Sequence, residues 1–265
     1  MFRRFWRRRP APLRYFLYIS DTKLEMLFEQ IDPALRRTIS AEATIDLKLA
    51  SLTLRQADPP PAARTAKLRM VERYIDTHHR VGTIGAPGHD YFRGSMPMQW
   101  GWLADGGYHD MSISGLDTVF FRGERASYVV VLAGSRRHVL GEQPAAEDSR
   151  LFAHSATPNI FAVIGEHISR SPGLSQHWRD QWEVPVDPPE VGLRDAAQLE
   201  LRGPSQNLEF LALTLIQDDG VPIHIGGWPE TTEQVHAVLG TPLYVAVAGN
   251  RADRPDDVAA RAKLG

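Results

Sequence analysis

The chain contains no cysteine. This excludes a disulfide framework, a thiolate metal site and a cysteine nucleophile, and it suits a reducing cytoplasm. Lysine is scarce too: Lys23, Lys48, Lys67 and Lys263 are the only ones among 30 basic residues. An arginine bias of that size reads as the mark of a GC-rich genome. No run of 18 residues is free of charge, the length that a membrane-spanning helix needs. The net charge of −2 leaves no global positive field for nucleic acid. No repeat recurs at the ~20–50-residue period of solenoids and propellers. The GxxxxGK[ST] phosphate loop, the dinucleotide fingerprint, the GxSxG nucleophile elbow and HExxH are all missing, so no cofactor and no metal is expected.

What is present suits one ordinary folded body: 265 residues, 43 % apolar and 23 % charged. The expected organisation is a basic tail over 1–13, a single α+β domain over 14–250 and a frayed charged tail over 251–265. The opening MFRRFWRRRP interleaves arginines with Phe2, Phe5 and Trp6. It imitates a secretory signal, but Arg14 cuts the run, Asp21 ends it and no small-residue cleavage site follows. The reading is a disordered basic tail, with contact to an anionic membrane as the weaker alternative.

RYFLYIS (14–20) predicts a buried strand, and DTKLEMLFEQI runs straight on as a helix with Leu24, Leu27, Phe28 and Ile31 on one face. Thr22 to Glu25 matches a capping box, which places the N-cap at Asp21 or Thr22. Residues 43–54 alternate and predict a half-buried strand; 56–63 is a proline-rich loop; 62–79 is helical. Residues 81–103 predict strand with turns. Residues 117–135 predict an antiparallel hairpin whose loop is Arg-Gly-Glu-Arg-Ala. Residues 155–170 predict a helix, 178–192 a surface excursion, and 205–220 a helix capped by Ser205. VPIHIGGW and TPLYVAVAG read as short strands, the second central. The expected fold class is α+β: a mixed, mainly antiparallel sheet with helices packed on a face.

The succession RYFLYISDTKLEML, DYFRGSMPMQWG, VFFRG, VVLAGSRRHVLG, HSATP, GPSQNLEFLA and LGTPLYVAVA resembles a family of uncharacterised proteins of GC-rich bacteria. That family has a similar Tyr-x-Tyr-x-Ser-Asp-x-Lys opening. The likeness covers residues 14–248. It implies no activity; by analogy it implies a place among regulatory or defence genes. The basic start and the segment ADGGYHDMSISG (104–115) depart from the family pattern.

Two stretches carry candidate chemistry. Gly134, Ser135, Arg136, Arg137 and His138 follow a strand. There a glycine lets the backbone turn, amides can line an anion site, and arginines supply charge. Ser20-Asp21-Thr22-Lys23 sits where a strand meets a helix N-terminus, a place that attracts anions, with Lys23 to assist. His154 joins them as a candidate ligand contact. The expectation is a noncatalytic sensor or adaptor domain binding a small anionic ligand or a protein partner, with no specific nucleic acid. The alternative is a serine hydrolase using Ser135 or Ser155 with a nearby histidine. His78-His79, His89-Asp90 and His109-Asp110 read as surface histidines, and Tyr91, Phe92, Trp100 and Trp102 as a strand packed into the core.

Overall fold

A computed structural model describes residues 14–43, 61–88, 90–101, 118–141, 160, 164, 188–199, 201, 204–224 and 232–248. The chain opens with strand β1 (Tyr15–Ile19) and helices α1 (Asp21–Gln30), α2 (Pro33–Ala43) and α3 (Pro61–His78). Strands β2 (Val81–Gly82), β3 (Tyr91–Gly101), β4 (Thr118–Arg125) and β5 (Tyr128–Ser135) follow. Then come a 3-10 turn (Arg136–His138), helix α4 (Pro188–Ala197) and the long strands β6 (Gln206–His224) and β7 (Thr232–Val247). The strands form one seven-stranded sheet. Its pairings are antiparallel except β2 with β3 and β5 with β7. The expected mixed, mainly antiparallel α+β fold is what the chain adopts.

The sheet closes on itself. Met98 of β3 pairs with Gly123 of β4 on one edge and with Gln206 of β6 on the other. His236 of β7 pairs with Tyr128 of β5 and with Asp219 of β6. With β4 beside β5, the cycle β3-β4-β5-β7-β6 returns to β3 as a small barrel. Successive strand residues point to opposite faces, so one set of alternate positions fills the inside. Phe92, Met96, Phe121, Leu132, Phe210 and Val245 form that interior cluster, and Tyr18 of β1 joins it.

The helices cover the outside. Leu24 and Phe28 of α1, with Ile31 just after it, meet Leu68, Val71 and Ile75 of α3 over the outward faces of β6 and β7. Leu193, Ala196 and Ala197 of α4 cover β4, β5 and β7 elsewhere, together with the helical residues Ile160 and Ile164. Arg122 Nε donates to the Ala197 carbonyl at 2.8 Å and ties the α4 C-terminus to β4.

Several expectations change. Residues 205–220 are not a helix: they lie in β6. That strand is covered on both faces, with Leu208 and Phe210 inward and Leu211 and Leu213 outward. It also shifts register at Leu211/Ala212, Thr214/Ile216 and Asp219/Val221. Two-sided burial erases alternation, and bulges space the leucines as a helix would. VPIH belongs to the same strand, and TPLYVAV is the second half of β7. That half lies between β1 and β6, central as expected. The hairpin is present, but Arg122-Gly123-Glu124-Arg125 is strand, and the turn falls at Ala126, with φ 52°. Of the expected surface excursion over 178–192, residues 178–187 lie outside the described residues, and from Pro188 on the chain is the helix α4. Helix α2 was not anticipated. Its signal was Asp32-Pro33: Asp32 Oδ1 accepts the Ala34 N–H at 2.7 Å, with proline at the first helical position. The expected strand over 43–54 lies outside the described residues, save Ala43, which ends α2. The tails at 1–13 and 251–265 lie outside them too.

Candidate functional site

The two stretches with candidate chemistry lie against each other. β1 ends at Ile19, and Ser20 begins α1 without a side-chain capping bond. Its N–H donates to the Leu243 carbonyl at 2.9 Å, which anchors the helix start to β7. The N-cap is thus Ser20, ahead of the expected Asp21 or Thr22, and Thr22 meets His138 instead. Across from it, β5 runs out at Ser135 into the 3-10 turn. Val139 then bridges to Tyr18, and Leu140 donates its N–H to the Leu17 carbonyl at 2.8 Å. Stitching of the turn to β1 is what brings residues 20–23 and 134–138 together.

His138 is the centre of the contact. Its Nε2 lies 3.4 Å from Thr22 Oγ1, and its Nδ1 lies 3.9 Å from Asp21 Oδ2. The ring meets Tyr18 edge to face, with centroids 6.0 Å apart. Burial lowers the imidazole pKa to about 4, and the nearby positive charges of Arg137, Lys23 and Arg64 push the same way. His138 is therefore neutral at physiological pH.

Three cations on three different elements thus converge on one imidazole: Lys23 on α1, Arg64 on α3 and Arg137 on the turn. Arg64 Nε holds Asp21 Oδ1 at 2.8 Å. Burial nevertheless raises the Asp21 pKa, against the lowering effect of Arg64. Lys67, buried and 5.0 Å above the Phe28 ring, pairs with Glu25. Lys23 differs from both. Its Nζ donates to Ser20 Oγ at 3.3 Å, a neutral partner, and among the described residues it has no carboxylate. Burial alone lowers its pKa to about 8.

Tyr18 completes the floor. It is wholly buried. Its hydroxyl is close enough to the Ser20 side chain and the Ser135 backbone for both to favour the phenolate, though burial dominates and raises the pKa. Neither approach reaches hydrogen-bond geometry, so the hydroxyl stays without an aligned partner.

Of the residues singled out in the sequence, Lys23, Arg137 and His138 come together, and Gly134 touches the same place through Tyr18. Gly134 does not turn the chain. It lies inside β5 opposite Val119, and a β-carbon there would strike the Tyr18 hydroxyl. Ser135 is the last residue of β5 and Arg136 the first of the turn; both are half-buried and have partners of their own. His154 and Ser155 lie outside the described residues. The sequence reading missed Tyr18, Arg64 and Lys67. The spacing of Arg64 and Lys67 on α3 was a signal, since residues three apart share a helix face.

The residues around His138 thus make a cation-rich junction on an α+β barrel. A family model described as "Family of unknown function (DUF7019)" matches residues 14–249, and the chain belongs to that family. Neither the curated proteins nor the solved structures gave a match. Among the described residues no helix is long and apolar enough to cross a membrane.

Proposed function

We propose that the chain is a noncatalytic sensor or adaptor domain that takes a small anionic ligand between the α1 N-terminus and the 3-10 turn. The observation that supports this most is the electrostatic surplus around His138. Lys23, Arg64 and Arg137 all act on that one imidazole. Asp21 is the carboxylate beside it, and Arg64 already occupies Asp21. A half-buried cation without a counter-ion is costly, and a bound anion supplies the counter-ion. Free N–H groups at the start of a ten-residue helix add donors of the right sign. Gly134, Ser135 and Arg136 adjoin Arg137 in the chain and belong to the same proposed region.

The alternative, a serine hydrolase built on Ser135 or Ser155, finds less support. The His138 contacts go to Thr22 and Asp21. An imidazole with a pKa of about 4 is also a weak general base at neutral pH.

Thermal-shift measurements with inorganic phosphate, a nucleotide panel and dicarboxylates test the reading. A stabilising anion whose effect falls with salt and disappears in Lys23→Ala and Arg137→Ala supports it. No shift from any anion, or a shift that both variants retain, refutes it.

A further inference from the structure

We propose that Lys23 is a nucleophile: its amine condenses with the aldehyde or ketone carbon of a small anionic ligand held beside Arg64 and Arg137, forming an imine. The inference deepens the anion-binding reading and rests on it, because the fixed cations are what orient the carbonyl.

The geometry separates Lys23 from the other reactive groups at the junction. Ser20 and Lys23 stand three apart on the first turn of α1, so hydroxyl and amine meet on one face. In such a pair the hydroxyl could be the nucleophile and the amine its base. Burial decides against that assignment. Ser20 is 1 % exposed, beyond the reach of a ligand, while Lys23 is only half-buried. Thr22 is exposed, but the base beside it is the depressed imidazole of His138. Lys67 is buried and paired with Glu25. The accessible nucleophile is therefore Lys23, with the Ser20 hydroxyl positioning its amine.

Among the described residues, the charged and titratable groups around Lys23 include Asp21 and Glu25 on α1, Arg64 and Lys67 on α3, and Arg136, Arg137 and His138 on the turn. Both carboxylates have cationic partners, Arg64 and Lys67. With its pKa near 8, about one-tenth of Lys23 is neutral at pH 7, against less than about one part in a thousand for an ordinary lysine. The step balances without an oxidant. The nitrogen lone pair attacks the carbonyl carbon, and the π pair moves to oxygen. A proton passes from nitrogen to that oxygen, and the carbinolamine then loses one water to leave C=N.

The test incubates the full chain with glyoxylate and cyanoborohydride, which reduces the imine to a stable carboxymethyl-lysine, and maps the adduct by peptide mass spectrometry. Four lysines make the comparison internal. The expected result is labelling of Lys23 at least about tenfold above Lys48 and Lys263, with a rate that climbs with pH around 8. The preference for glyoxylate over uncharged propionaldehyde should fall in Arg137→Ala. Lys23→Arg should keep the melting temperature and lose the adduct. Equal labelling of Lys48 and Lys263, or none on Lys23, overturns the inference. If phosphate still stabilises the chain while Lys23 stays unlabelled, only the nucleophile fails. If no anion binds and Lys23 stays unlabelled, both readings fail.

Discussion

The Tyr18 hydroxyl occupies the space that a β-carbon at position 134 would need. The two residues come from β1 and β5, which share no ladder, so the contact gauges how tightly the turn is drawn onto the first strand. Gly134→Ala should destabilise the chain by about 1–3 kcal/mol through overpacking. Tyr18→Phe removes a buried hydroxyl that lacks an aligned partner, and should cost about 1 kcal/mol or less. Combining the two should recover part of the loss. Denaturant midpoints of the four proteins measure the coupling, and strict additivity would show that the contact carries no energy.

His138 should make stability depend on pH. Its folded pKa, about 4, lies below the ordinary histidine value of 6.5. The unfolded chain therefore binds the extra proton first. Stability attributable to this group is intact above about pH 6.5, is lost as pH falls, and levels off below about pH 4, a total of roughly 3 kcal/mol. His138→Gln should flatten that part of the stability profile.

Asp195 on α4 acts with the opposite sign in an overlapping window. Burial raises its pKa from 3.8 to about 6, against the lowering effect of Arg194. Here the folded state takes the proton first, so stability rises as pH falls from about 6 to about 4. Asp195→Asn should remove that rise and raise stability at pH 7. The difference between variant and parent, followed from pH 4 to pH 8, isolates it from His138.

Arg14, just ahead of β1, contacts three other elements. It hydrogen-bonds Glu72 of α3 at 3.0 Å, forms an ion pair with Glu209 of β6 at 2.9 Å, and stacks over Tyr244 of β7, whose hydroxyl donates to Glu72. Arg14→Ala leaves a mostly buried Glu72 without its cation and should cost about 1–3 kcal/mol. Tyr244→Phe should cost about 1 kcal/mol. A double-mutant cycle on thermal melts should give a coupling above the error, since both residues meet the same carboxylate.

Ala126 turns the β4–β5 hairpin with φ 52°, a left-handed conformation that costs an alanine roughly 1 kcal/mol. Ala126→Gly should therefore leave stability unchanged or raise it by up to about 1 kcal/mol, the gain being limited by the extra entropy of glycine in the unfolded chain. A fall in melting temperature would contradict the assigned turn.

Local signals were legible where one face of an element is apolar. α1 and α3 could be read from spacing because water lies on their other side, whereas β1 and the β4–β5 pair, apolar on both faces, were read from their runs of aromatic and β-branched residues bounded by turn signals. β6 could not, because its two buried faces and its register shifts remove the period that marks a strand. Barrel closure depends on Met98 and His236 each pairing on both edges, and no local pattern encodes that. Both halves of the junction were visible as short polar runs, Ser20 to Lys23 and Gly134 to His138. Their meeting depends on Val139 finding Tyr18, a contact between distant segments. Arg64 and Lys67 were hidden because on a helix surface they look like solvated charges.

Pairing of β1 with β7 has a consequence for biosynthesis. Among the described strands, β1 leaves the ribosome first and finds its ladder partner, Tyr244 to Val247, only when translation has nearly completed β7. Until then Lys23 and Arg64 travel on a helical hairpin with no sheet beneath it, and His138 belongs to a separate hairpin. The nascent polypeptide must keep both soluble and apart, since sheet closure waits on contacts of the longest sequence separation. The junction around His138 is thus assembled last, and a truncated translation product would contain every one of its residues without containing the site.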